Sequence, residues 1–191
     1  LGAAAEVSLA LAALADLLAG IDPEVLTCLS PLHQQALHAV ITGTEVPGAD
    51  ERLLATAFRA ALDEQARHQP VLIAIDDAHW LDEASRLALG FAIRRLTGPI
   101  AVLAAYRSNE PTGADHTWVT PRDPRALHRL TIGPMTLGAL HTVLATHHGH
   151  TPPRPTMVRI HTLSGGNPFY ALELARALAE HPDADLTTLP P

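Results

Sequence analysis

The sequence predicts an α/β fold, a parallel sheet with flanking helices followed by a small C-terminal helical lid. Three observations lead there. Residues 71–75 (VLIAI) and 100–106 (IAVLAAY) are continuous apolar runs of strand length, the pattern of parallel strands buried on both faces. Between them Ala84, Leu87, Ala88, Phe91 and Ala92 recur at helical spacing, so strand, helix and strand form one βαβ unit. From residue 136 to residue 180 the chain carries three short helical stretches, 136–147, 156–163 and 168–180.

The elements follow in order. In the first third Leu9, Leu11, Leu14, Leu17 and Leu18 fall mostly on one stripe, and Gly20 with Pro23 ends that helix. Glu6 and Asp16 interrupt the apolar stretch 3–21 and no positive residue precedes it, so it reads as a buried helix, not a membrane span or a signal peptide. Ser30 caps a helix that starts at Pro31 and runs to about Ile41. Residues 43–49 form a loop rich in glycine and proline. Asp50 then caps a third helix with the face Leu53, Leu54, Ala57, Phe58, Ala61 and Leu62. Asp82 caps the helix of the βαβ unit, and Gly98-Pro99 stops it. A polar loop over 108–124 leads to a short alternating strand at 128–132. The prolines at 152, 153 and 155 are expected to form a hinge between sheet and lid.

Bulk properties exclude several function classes. Apolar residues make up 47% and charged residues 17% of 191 residues, enough for one folded domain with a small lid. A net charge of −7 argues against a general nucleic-acid or anionic-membrane surface. The single cysteine, Cys28, has no internal disulfide partner, which fits a reducing cytoplasm, and it reads as an apolar filler. All 13 basic residues other than histidine are arginines, and lysine is absent. The chain opens at Leu1 rather than at a methionine, which suggests a fragment. His147, His148 and His150 cluster at a helix end, but with no nearby carboxylate or cysteine they read as solvated, not as metal ligands.

Chemistry is expected where the buried strands end, because ligands of open α/β sheets bind beyond the carboxyl ends of the strands. One strand ends in Asp76 and Asp77, and its neighbour ends in Arg107. Buried carboxylates without partners are costly, so these must meet water, a cation or hydrogen-bond donors. Adjacent residues of a strand face opposite ways, so both carboxylates share one site only if the strand stops near Asp76. A carboxylate on a rigid strand end suits a magnesium ion that bridges nucleotide phosphates, and a second one can orient or deprotonate a water. Arg107 can meet a terminal phosphate as a planar donor. The competing reading makes these solvent-facing charges, with Arg107 paired to an aspartate. A carboxylate-held metal hydrolase would need a third ligand, for which Asp82 and His79 are the nearest in sequence.

Residues 71–82, VLIAIDDAHWLD, resemble the Walker B region of the large ATP-binding regulators of the LuxR family, relatives of the MalT-type STAND ATPases within the wider AAA-like P-loop class. The resemblance extends through Ser85, Arg94-Arg95-Leu96 and the strand ending at Tyr106-Arg107. It resumes at 165–169, GGNPF, which is similar to the family's GNPF element at the start of a lid helix. This implies that Asp76 holds Mg²⁺, that Asp77 lies near the hydrolytic water, that Arg107 is the sensor after the next strand, and that Pro168 approaches the adenine of ATP. As plain structure, Asn167 and Pro168 also suit a helix start. Trp80 reads as a packing residue.

The sequence departs from that family at the phosphate loop, which needs a glycine-rich turn ending in lysine and serine or threonine. None precedes residue 71. The expectation is therefore a partial nucleotide-binding domain over 1–133, a helical lid over 134–181, and a tail over 182–191 leading to a missing downstream domain. On this reading the intact parent is a slow ATPase, and this chain alone is inactive. Its partners are ATP, another copy or a regulatory protein, and DNA only through a helix-turn-helix domain absent here; no membrane is involved. The alternative is a non-catalytic interaction module derived from a STAND ATPase. The resemblance also implies that the strand before the P-loop lies between the sensor strand and the one at 128–132. The latter is therefore expected to pair directly with residues 100–106 or to be disordered.

Overall fold

Capping residues and apolar spacing set the helices of this protein, whose computed structural model describes residues 10–44, 50–107, 118–149 and 151–180. The chain divides into two compact units, residues 1–128 and 129–191. Most of the expected loop over 43–49 (45–49), most of the polar loop (108–117), His150, the N-terminal residues through Leu9 and the tail from residue 181 lie outside the described residues.

In the first unit, α1 (Ala12–Ala19) buries Ala13, Leu14 and Leu18, and a five-residue α2 (Pro23–Thr27) follows, capped by Asp22. Ser30 and Asp50 cap α3 (Pro31–Thr42) and α4 (Glu51–His68) through side-chain bonds to the backbone N–H groups of His33 and Leu53. The face expected for α4 is the one that faces the core: Leu54, Ala57, Phe58, Ala61 and Leu62 are buried. Then come β1 (Val71–Ile75), a 3₁₀ turn (Ala78–Trp80), α5 (Glu83–Ile93) and β2 (Ile100–Ala104). The two strands are parallel, in register from Val71 opposite Ile100 to Ile75 opposite Ala104. They are the whole sheet among the described residues.

Two expectations about the strands need correction. The apolar strands are covered on one face only. Val71, Ile73, Ile75, Ile100, Val102 and Ala104 join the helical core, while on the other face Leu72 and Leu103 are 65% and 63% exposed. The pleat sends alternate side chains to opposite faces, and no described element of this unit lies on the second one. The alternating segment 128–132 is also not a strand. It runs without ladder bonds among the described residues and leaves Leu130 and Ile132 85% and 90% exposed. A strand needs a partner for its backbone groups, and a period-2 pattern does not supply one.

The second unit contains α6 (Leu137–His148), α7 (Arg154–Ser164) and α8 (Pro168–Glu180) around Leu140, Leu144, Met157, Ile160, Ala171 and Ala175. The proline cluster does not form a hinge between sheet and lid. It lies inside this unit, where Pro153 precedes α7 and Pro155 sits in its first turn, a position without need of an N–H donor. No helix among the described residues is long and apolar enough to cross a membrane.

Candidate functional site

The strand ends are shaped by a two-residue excursion. Beyond the regular ladder, the N–H of Ala105 donates to the Ile75 carbonyl at 2.9 Å, and the N–H of Ala78 donates to the Ala105 carbonyl at 2.8 Å. Ile75 and Ala78 therefore both bond the same residue of the neighbouring chain segment, and Asp76 and Asp77 loop out between them. Asp77 makes the turn with φ 49° and ψ 45°, a left-handed conformation that aspartate tolerates better than most residues. Because β1 stops at Ile75, the two carboxylates escape strict strand alternation, as a shared site requires.

Asp76 is exposed, and its Oδ1 accepts the N–H of Asp77 at 2.9 Å. Asp77 meets Arg107 from the neighbouring segment, with Nε donating to Oδ1 at 3.3 Å. The pair is largely open to solvent, so it contributes only about 0–1 kcal/mol to folding. Its interest lies in what it brings together, a carboxylate and a guanidinium at the C-terminal ends of adjacent parallel strands.

A third group faces the same carboxylate. The side chain of His79 is 2% exposed, and its Nε2 lies 3.7 Å from Asp77 Oδ1. That is too long for a hydrogen bond, and neither ring nitrogen has a hydrogen-bond partner among the described residues. An imidazole buried without partners costs about 1–3 kcal/mol. The ring stacks obliquely on half-buried Trp80, with centroids 5.0 Å apart. Sequence reasoning weighed His79 only as a ligand for a metal hydrolase and missed its approach to Asp77. No spacing signalled it, because the approach depends on the left-handed turn at Asp77.

Asp82 is not available as a third metal ligand. It is buried, its Oδ1 caps α5 by accepting the N–H of Ser85 at 2.8 Å, and the same atom accepts the N–H of Leu11 at 2.9 Å. Ser85 Oγ in turn accepts the N–H of Leu14 at 3.0 Å. These two residues satisfy two of the donors at the start of α1, those of Leu11 and Leu14, so their role is structural. Among the described residues no cluster of three histidine, cysteine or acidic side chains could cage a metal, His147 and His148 included.

Magnesium does not require such a cage, since it keeps waters and takes one or two carboxylates plus phosphate oxygens. Asp76 suits that role. It is exposed at a rigid strand end, and its Oδ2 has no partner among the described residues. The residues present therefore fit the cation, but no lysine exists in the chain to hold a phosphate beside it.

Pro168 belongs to the second unit, and its surroundings are those of a helix start. Asn167 Oδ1 accepts the N–H of Phe169 at 2.9 Å and of Tyr170 at 3.4 Å, and Pro168 opens α8. Just before it, Gly166 (φ 78°) lies so close to Pro134 and Met135 that a Cβ there would stand 2.7 Å from the Met135 carbonyl oxygen. The N–H of Met135 donates to the Gly166 carbonyl at 2.9 Å. Local packing thus explains the glycine, asparagine and proline of GGNPF, while Phe169 is exposed.

Comparison with known proteins bears on this geometry. No curated protein and no solved structure matches the chain. A family model described as AAA ATPase domain matches residues 2–103, more than half of the 191 residues. The match contains Asp76 and Asp77 and ends shortly before Arg107. With a βαβ unit whose strand ends gather two carboxylates and an arginine, the chain belongs to the AAA ATPase domain family.

Proposed function

We propose that this chain is part of the ATP-dependent switch of a cytoplasmic LuxR-family transcriptional regulator of the MalT-like STAND kind. In this reading Asp76 holds Mg²⁺, Asp77 orients or deprotonates the hydrolytic water, Arg107 senses the terminal phosphate, and Pro168 approaches the adenine. The observation that supports it most is the left-handed turn that frees both Asp76 and Asp77 at the end of β1 beside Arg107. The exposed Asp77–Arg107 pair by itself is also what solvent-facing strand-end charges would form. Membership of the AAA ATPase domain family supports ATP as the ligand class.

The residues divide the work by their chemistry. Bound Mg²⁺ neutralises phosphate charge and fixes the phosphate oxygens, and Asp76 presents an exposed hard oxygen for it. Asp77 holds a carboxylate one residue away, oriented by its left-handed backbone. Arg107 engages Asp77 without nucleotide, so a terminal phosphate competes with that carboxylate for the guanidinium. Such competition links ligand state to the strand ends, as an ATP-driven regulator requires. Self-association or a regulatory partner would read the change out, and DNA would be bound through another domain.

Isothermal titration with Mg·ATP tests the proposal. Weak, magnesium-dependent binding in the millimolar range is expected for the chain, with loss of the signal in Asp76→Ala. No heat at millimolar ligand, or binding indifferent to Asp76→Ala, would refute it. One observation favours the second reading, a non-catalytic interaction module: the apolar sheet face carrying Leu72 and Leu103 is open, as a partner-binding surface would be.

A further inference from the structure

We infer that His79 is the positioning residue for Asp77, the donor that takes over this carboxylate when Arg107 leaves it. The inference rests on the nucleotide reading for its purpose, but its geometry stands on the chain alone. Asp77 Oδ1 lies between two basic side chains of opposite character. Arg107, at 3.3 Å, is exposed and long, and can swing away at little cost. His79, at 3.7 Å, is buried against Trp80 and fixed by the short turn that follows Asp77.

The two partners cannot be equally satisfied. While Oδ1 bonds the guanidinium, the imidazole remains buried with both nitrogens unpartnered among the described residues, a costly state for a polar group. A small rotation of the carboxylate toward His79 would close the gap and relieve that cost. Drawing Arg107 to a phosphate would thus leave Asp77 neither loose nor free to turn to solvent. It would be caught by Nε2–H, with its second oxygen left for water. His79 touches no reacting atom in this scheme. It sets the direction in which Asp77 points.

The proposal commits the ring to carrying a proton on Nε2, which nitrogen NMR reads directly. The full chain, labelled with ¹⁵N, is examined through long-range correlations of the histidine rings. His79→Phe removes one of the 12 imidazole patterns and so assigns it; if that variant fails to fold, His79→Gln serves the same purpose. The expected result is a protonated Nε2 in the native chain. In Arg107→Ala the Nε2–H resonance should move downfield and exchange more slowly with water, as its bond to Asp77 shortens. A bare Nε2, or ring signals indifferent to Arg107→Ala, would overturn the inference, because a histidine that merely fills space has no reason to respond.

Mg·ATP separates this claim from the one beneath it. If Arg107→Ala moves the His79 signal while saturating Mg·ATP moves nothing, positioning stands and the nucleotide reading falls. If Mg·ATP shifts the amides of Asp76 and Asp77 but the ring of His79 stays still in both experiments, the nucleotide reading stands and positioning falls.

Discussion

At the scale of single residues, backbone geometry and close packing set requirements that composition does not reveal. Asp77 holds φ 49° in order to turn the chain between Ile75 and Ala78. The turn itself favours glycine. Asp77→Gly should therefore unfold at higher denaturant than Asp77→Ala, by about 1 kcal/mol. An alanine variant as stable as the glycine one would show that the left-handed turn is not imposed. Gly166 is a stricter case, since its positive φ coincides with a 2.7 Å approach to the Met135 carbonyl. Gly166→Ala should cost the second unit about 2–4 kcal/mol, from backbone strain and overpacking together. Thermal unfolding of that unit measures it, and an unchanged midpoint would contradict the packing account of GGNPF.

Elements are joined by side chains that do two tasks at once. Asp82 caps α5 and receives the Leu11 N–H, so Asp82→Ala removes a cap and leaves an N-terminal donor of α1 unpaired. A loss of about 2–3 kcal/mol is expected, with faster amide exchange at the start of α1. Exchange confined to α5 would mean that α1 docks by apolar contact alone. The caps at Ser30, Asp50 and Asp82 were legible in the sequence because a short polar side chain before an apolar helical pattern has one strong local use. The five-residue α2 was not, since Pro23 after Gly20 reads equally as a stop and as a first helical position. Continuous apolar runs located β1 and β2 correctly but could not say how many faces are covered, which depends on neighbours elsewhere in the chain. The segment 128–132 failed for the same reason, because alternation describes a strand and pairing makes one. At the site, the charged residues at strand ends were legible and the approach of His79 was not. That contact depends on the turn at Asp77, which no residue spacing encodes.

At the scale of the whole molecule, the described residues form two apolar cores, one per unit. Unfolding should therefore not be a single two-state transition. Leu140→Ala, at a fully buried position of the second core, should lower one calorimetric transition by about 2–5 kcal/mol and leave the other in place. One transition moving as a unit would contradict independent cores. The central claim concerns the first unit, where carboxylates at the end of β1 are held to grip a cation together with a nucleotide. Manganese, which accepts the same oxygen ligands as magnesium, tests this most directly through paramagnetic broadening of amide signals. Mn·ATP should broaden the amides at Asp76, Asp77 and Ala78 and across at Tyr106 and Arg107, and Asp76→Ala should abolish the effect. Broadening centred on His147 and His148, or none at the strand ends, would contradict the account.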